Sequence, residues 1–156
     1  NLIKLNPATV RIYPTVILKN TRLGDLFETG EYKPYTLEKA IKLCAYIYQG
    51  FLDNGIKVIK MGLHASEIVE EQMLGGLYHP AFRELCENEI YKNLISELVR
   101  KHEIKNTLIV SVPQRNTSKA IGQKKSNIEY FKKNGIELKV VSDVLQHDKL
   151  RILSFS

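Results

Sequence analysis

Val10–Leu18, V-R-I-Y-P-T-V-I-L, and Ile56–Gly62, I-K-V-I-K-M-G, are the two runs on which the fold turns. Both are dense in β-branched and aromatic residues, the composition of strands. In the first, period-two alternation sets Arg11, Tyr13, Thr15 and Ile17 on one face and Val10, Ile12, Pro14, Val16 and Leu18 on the other. A polar face backed by an aliphatic one suits the wall of a barrel, with a wet interior and helices packed outside. Pro14 has no N–H to donate, so an irregularity is expected in mid-run. Between the two runs lies a strong helix. Thr36 caps it, and Leu37, Ala40, Ile41, Cys44, Ile47, Tyr48 and Phe51 recur at three- and four-residue steps. Asn54-Gly55 stops it. Strand, helical connection and strand in this order predict a βαβ unit with parallel strands and a right-handed crossover.

The rest follows outward from that unit. Thr21 to Gly30 predicts a short helix, and Glu31 to Tyr35 a polar loop. Ser66 is expected to cap a short acidic helix over 67–74, which Gly75-Gly76 breaks. Pro80 suits the first position of a long helix whose apolar stripe is Phe82, Leu85, Cys86, Ile90, Leu94, Ile95 and Leu98, ending near His102. A strand at 107–112, a short helix at 117–121, a turn at Gly122–Lys125, a helix at 126–134 and two strands, 136–142 and 149–155, close the chain. His147-Asp148 reads as a hairpin turn. The fold class expected is α/β: a partial parallel barrel edge followed by a small α+β unit.

Of 156 residues, 44% are hydrophobic and 26% charged, proportions that build a core. No apolar run is long enough to span a bilayer, and Asn1–Pro7 does not read as a signal peptide. The chain opens on Asn and enters a strand almost at once, so a piece of a longer polypeptide with structure upstream is expected. The net charge of +6 is unevenly placed. Residues 1–100 hold 12 basic and 12 acidic side chains, whereas 101–156 hold 11 and 5, so the whole excess lies in the last third. That shift sets the expected boundary, with domains at 1–102 and 103–156. It also points to an acidic partner, nucleic acid being the usual one. Cys44 and Cys86 sit at apolar helical positions, too far apart for a metal motif or a disulfide framework, and read as reduced core thiols of a cytoplasmic protein.

VRIYPTVILKNTRLGDLFETGEYKPYTLEKA, then NGIKVIKMGLHAS, then YHPAFREL, resemble in order and spacing the radical S-adenosylmethionine (SAM) proteins related to the catalytic subunit of Elongator, often labelled oxygen-independent coproporphyrinogen oxidase-like. The likeness covers residues 10–86. It implies a parent enzyme with an upstream three-cysteine motif holding a [4Fe–4S] cluster that cleaves SAM to a radical, and, in Elongator-like members, tRNA as the substrate. Cluster iron needs thiolate ligands, and this chain has two cysteines, so it is expected to bind no cofactor and to be inert alone. Residues 10–62 would then be late strands of a partial barrel whose site lies at the strand C-terminal ends. The SAM- or substrate-side candidates are Lys19, Asn20, Thr21 and His64, with inward-facing Arg11, Tyr13 and Thr15. Relatives commonly carry Gln-Pro where His64-Ala65 stands.

The basic tail resembles a KH domain, in which a G-x-x-G loop between two helices clamps a nucleic-acid backbone. Ile121–Ile128 carries the comparable loop, with Lys125 in place of the second glycine. Gly122, Gln123, Lys124, Lys125 and Ser126 are the nucleic-acid candidates, extended by Arg115 and Lys119: lysines for phosphate, and a helix start for amide donors. A solvated lysine turn is the structural alternative. Tyr130 and Phe131 read as core. The sequence therefore supports a radical SAM fragment joined to its upstream domain in the same chain, a non-catalytic nucleic-acid-binding module, or a lid packing on a barrel. It carries no serine-hydrolase elbow, phosphate-loop lysine motif or paired zinc histidines. His79 reads as a helix cap, and Glu67, Glu70 and Glu71 as a solvated face.

Overall fold

The structure is a computed structural model and describes residues 2–64, 67–144 and 149–156. The expected Ser66 cap and the His147-Asp148 turn lie outside the described residues. The chain packs as two compact units, Asn1–Cys86 and Glu87–Ser156. The division falls inside a long helix, whereas the boundary expected at 102/103 follows the charge.

In the N-terminal unit the run 10–18 is two strands, β1 (Thr9–Ile12) and β2 (Val16–Leu18). The irregularity expected at Pro14 is a full interruption. Either side of it the chain pairs with different partners, so the reading of one continuous strand is corrected. Helix α1 (Arg22–Glu28) starts at Thr21, whose hydroxyl accepts from the Gly24 N–H at 3.0 Å. Helix α2 (Leu37–Asp53) starts at Thr36 in the same way, accepting from the Lys39 N–H at 3.3 Å. It buries Ala40, Cys44, Ala45, Tyr48 and Phe51, while Leu37, placed in the apolar stripe, is exposed. Strand β3 (Lys57–Met61) follows, and β1 pairs with it in parallel, as the βαβ reading requires.

Helix α3 (Glu67–Gln72) is shorter than expected, because Met73–Gly76 form a strand, β4, antiparallel to β2. Gly75-Gly76, read as a helix breaker, lies in a sheet. The reason is proximity: a Cβ on Gly76 would meet the Thr15 carbonyl oxygen at 2.6 Å and Val16 Cα at 3.0 Å, and φ there is +94°. Only glycine lets the two backbones come this close. Ile17, grouped by alternation with the polar residues, is fully buried, since β2 restarts the phase after Pro14.

Helix α4 (Phe82–Lys101) begins under a cap from His79, whose Nδ1 accepts from the Ala81 N–H at 3.1 Å. Near its start, Arg83 donates to the Tyr48 hydroxyl of α2 at 2.9 Å. In the C-terminal unit follow β5 (Thr107–Pro113), α5 (Thr117–Ile121), α6 (Ser126–Lys133), β6 (Glu137–Asp143) and β7 (Arg151–Phe155). The sheet order is β6-β5-β7, with β6 parallel and β7 antiparallel to β5. Ile95, Leu108, Val110, Phe131, Ile136 and Leu138 form its core. Both units reuse one device. Phe51-Leu-Asp-Asn-Gly-Ile56 and Phe131-Lys-Lys-Asn-Gly-Ile136 end a helix with the isoleucine N–H on the phenylalanine carbonyl, at 2.9 Å in each, and bury both hydrophobic residues. Mixed helices and small sheets in this arrangement make the protein α/β.

Candidate functional site

Strands β1 and β3 end side by side, and the Gly62 N–H donates to the Ile12 carbonyl at 3.0 Å. The strand end beside Gly62–His64 is therefore Ile12–Tyr13. Lys19, Asn20 and Thr21 follow β2, which pairs with β4. The Lys19 N–H donates to Gln72 at 2.8 Å, Asn20 adopts a left-handed φ of +57°, and the Thr21 hydroxyl is committed to its cap and to the Leu18 carbonyl at 2.8 Å. No hydrogen bond among the described residues joins this turn to His64.

Arg11, Tyr13 and Thr15 are exposed. Tyr13 and Thr15 also line a cleft of about 250 Å³ with Pro14, Tyr32, Tyr35 and Cys44. Burial pushes the Cys44 thiol above its ordinary pKa, so it is held protonated and unreactive. Sequence reasoning missed Lys60. Strict alternation puts it on the core face with Val58, yet it stands opposite Arg11, and its Nζ lies 2.9 Å and 2.6 Å from the two ring nitrogens of His64. The missed signal is that Val58, Ile59 and Met61 cannot obey one period of two.

In the C-terminal unit the candidates separate. Arg115 lies in a tight turn after β5. Lys119 on α5 pairs with Glu87 at 3.2 Å. Gly122 is buried, and the space its Cβ would need is taken by Ser126 Oγ and by the Asn127 nitrogen, the latter at 2.8 Å. Its close approach is thus to its own chain. Lys124 and Lys125 are exposed and left-handed, at φ of +52° and +63°. Ser126 starts α6.

Tyr91, another residue outside the expected stripe, is buried beside Val112 and Ala120. Burial first, then the Glu87 carboxylate, push its phenol up to about 12, against smaller opposing effects from Arg115 and a hydrogen bond with Asn116. The folded state thus favours the neutral phenol. The contribution is complete below the unfolded value near 10 and lost as pH rises through 10 to 12, about 3 kcal/mol in all. Tyr91→Phe is expected to match the parent at pH 7 within about 1 kcal/mol, since the hydroxyl's bond to the Lys149 carbonyl is long at 3.4 Å. At pH 11.5 the variant is expected to be the more stable. Urea unfolding at the two pH values checks this, and parallel pH profiles would reject it.

A family model described as the radical SAM C-terminal domain matches residues 7–92, more than half of the chain. The chain belongs to the radical SAM C-terminal domain family. The matched stretch holds β1 through β4 and the first half of α4, so Arg11, Lys60 and His64 are inside it and the Gly122 loop is not. Two curated relatives carry the name tRNA uridine(34) acetyltransferase. That of Methanocaldococcus jannaschii is 42% identical over 40 residues, 26% of this chain and 7% of that protein. That of Methanocaldococcus infernus is 40% identical over 40 residues, 26% of this chain and 8% of that protein. The matched stretch is thus a small part of either relative. No solved structure matches. The radical SAM family name implies an iron–sulfur cluster and SAM. The residues present here do not fit the cluster: Cys44 and Cys86 are buried on separate helices, and no group of three metal-ligating side chains occurs among the described residues. No helix among them is long and apolar enough to cross a membrane.

Proposed function

We propose that this radical SAM C-terminal domain is part of a cytoplasmic enzyme that modifies RNA, with tRNA the substrate the relatives' names suggest, and that its chemistry depends on a cluster-binding domain upstream in the same polypeptide. The supporting observation is the family match over residues 7–92, taken with a strand–helix–strand unit that offers polar side chains at one sheet end. When bound, the cluster and SAM supply the radical. This chain's own residues supply a wall of the site and contacts to substrate: Arg11 and His64 at the ends of β1 and β3, Tyr13 and Thr15 in the cleft beside Pro14, with the Lys19–Thr21 turn beyond β2.

The C-terminal unit fits the same reading as an RNA-docking element. The positive excess lies in residues 101–156, and the exposed Lys124 and Lys125 stand just ahead of α6. The phosphate contacts there are proposed for these two lysines, with Arg115 and Lys119 further along the surface. A docking module without catalysis uses the same lysines, and it is separated from the enzyme by the next measurement.

Anaerobic reconstitution with iron and sulfide tests the proposal. The full-length protein is expected to acquire a [4Fe–4S] absorbance and to cleave SAM, while residues 1–156 alone acquire neither. A full-length protein that takes up no cluster removes the enzyme reading and leaves the docking module.

A further inference from the structure

We propose that a bulge in β3 builds a phosphate-binding row on the open face of the β1–β3 sheet, which holds the RNA backbone; this rests on the RNA reading above and names the contact. Val58 and Met61 are both buried, yet they are three residues apart, and a regular strand sends such a pair to opposite faces. The register slips to accommodate them. Val58 pairs with Val10 and Met61 with Ile12, so Ile59 and Lys60 together oppose Arg11. Ile59 is pushed outward at 42% exposure, and Lys60 is carried from the core phase to the open face, directly across from Arg11. Bulges are uncommon between parallel strands, and where they occur near sites they re-aim a side chain.

The consequence is a line of basic groups. Lys57, opposite Thr9, is exposed on the same face. Next come Arg11 and Lys60 as register partners, then His64 against the Lys60 ammonium. Among the described residues neither Arg11, Lys57 nor Lys60 makes an ion pair with a carboxylate. Like charges directly opposite repel and destabilise a sheet. An anion seated between them turns the repulsion into attraction. A guanidinium fork beside an ammonium is the donor set that recognises phosphate oxygens. The line runs along the strand from Lys57 to His64, so it suits a ligand with successive phosphates rather than one isolated carboxylate. The cations position the backbone and read no sequence.

The test uses the full-length protein and a transcribed tRNA, with binding measured across a salt series. Lys60→Gln and Arg11→Gln are each expected to weaken binding 3- to 10-fold at low salt. Each should also lower the slope of log K against log salt by about one. Lys60→Arg is expected to retain binding, and relief of repulsion leaves the melting temperature of both Gln variants unchanged or raised. Parent-like affinity and slope in both Gln variants would overturn the proposal while leaving the RNA reading intact. So would a loss of SAM affinity in place of tRNA affinity, which would assign the cations to the cofactor. A melting temperature lowered by several degrees would likewise overturn it, by showing an ion pair within the protein. A parent protein that binds no tRNA at low salt fails at the earlier step and removes the RNA reading itself.

Discussion

Gly76→Ala is expected to destabilise the N-terminal unit by about 4 kcal/mol, a large share of the stability of an ordinary domain. Two causes combine. The added Cβ falls 2.6 Å from the Thr15 carbonyl oxygen and about 3 Å from the backbone of Val16 and Ile17, atoms that no rotamer change can move. The residue must also hold φ at +94°, a conformation that costs a side-chain-bearing residue about 1–3 kcal/mol. Gly30→Ala separates the two causes: φ there is +78° and nothing lies within 4 Å of its Cβ, so strain acts alone. That control is expected to lose about 1 kcal/mol. Urea unfolding followed by far-UV circular dichroism measures both. If Gly76→Ala proves no worse than Gly30→Ala, the close approach of β4 to β2 is not as described. The effect bears on function because β4 and the Leu77 N–H, 2.9 Å from the Thr15 carbonyl, hold the segment after Pro14 in place. Tyr13 and Thr15 flank that proline.

That strand also marks where sequence reading stops. Helix α2 was legible from end to end because three independent signals agreed on it: the Thr36 cap, the apolar stripe and the Asn54-Gly55 stop. Strand β4 was not, because glycine carries no propensity of its own, and Met-Leu-Gly-Gly becomes a strand only through the backbone waiting opposite it. The Pro14 irregularity was foreseen, but its extent depended on which partners the two halves would find. Around the candidate site the exposure of Arg11, Tyr13 and Thr15 was readable from alternation, whereas Lys60 was hidden by a one-residue slip that satisfies Val58 and Met61 at once. In α4 the apolar stripe was found, but Asn88 and Tyr91 were not, since buried polar side chains carry no periodic signal and take their reason from partners far along the chain. Gly122 illustrates the reverse: its need for a bare Cα was legible, but the atoms that crowd it are Ser126 and Asn127.

Asn127 carries the other large effect. Its side chain is buried, and its Nδ2 donates to the carbonyls of Asn88 at 3.0 Å, Ala120 at 3.1 Å and Lys119 at 3.3 Å. Two amide hydrogens serve three oxygens, so one is shared. Two of those oxygens belong to the last turn of α5, whose terminal carbonyls have no helical partner of their own. One side chain on α6 therefore closes α5 and ties both helices to α4. Asn127→Ala is expected to lower stability by about 3 kcal/mol, because it strips the donor from buried carbonyls as well as opening a hole. Asn127→Asp is expected to be worse, since a carboxylate aimed at carbonyl oxygens offers no donor and adds repulsion. Asn134→Ala is the control: that side chain makes a comparable 2.7 Å bond to Tyr130, but at an exposed helix end, where water replaces it for less than about 1 kcal/mol. Hydrogen exchange should show the difference locally, with the amides of α5 and of the Gly122–Lys125 turn losing protection first in Asn127→Ala. The lysines proposed to meet RNA stand on that turn, so tRNA affinity is expected to fall along with protection. An Asn127→Ala protein within 1 kcal/mol of its parent would mean that α5 is held by its apolar contacts alone, leaving the lysine turn without the anchor that fixes it.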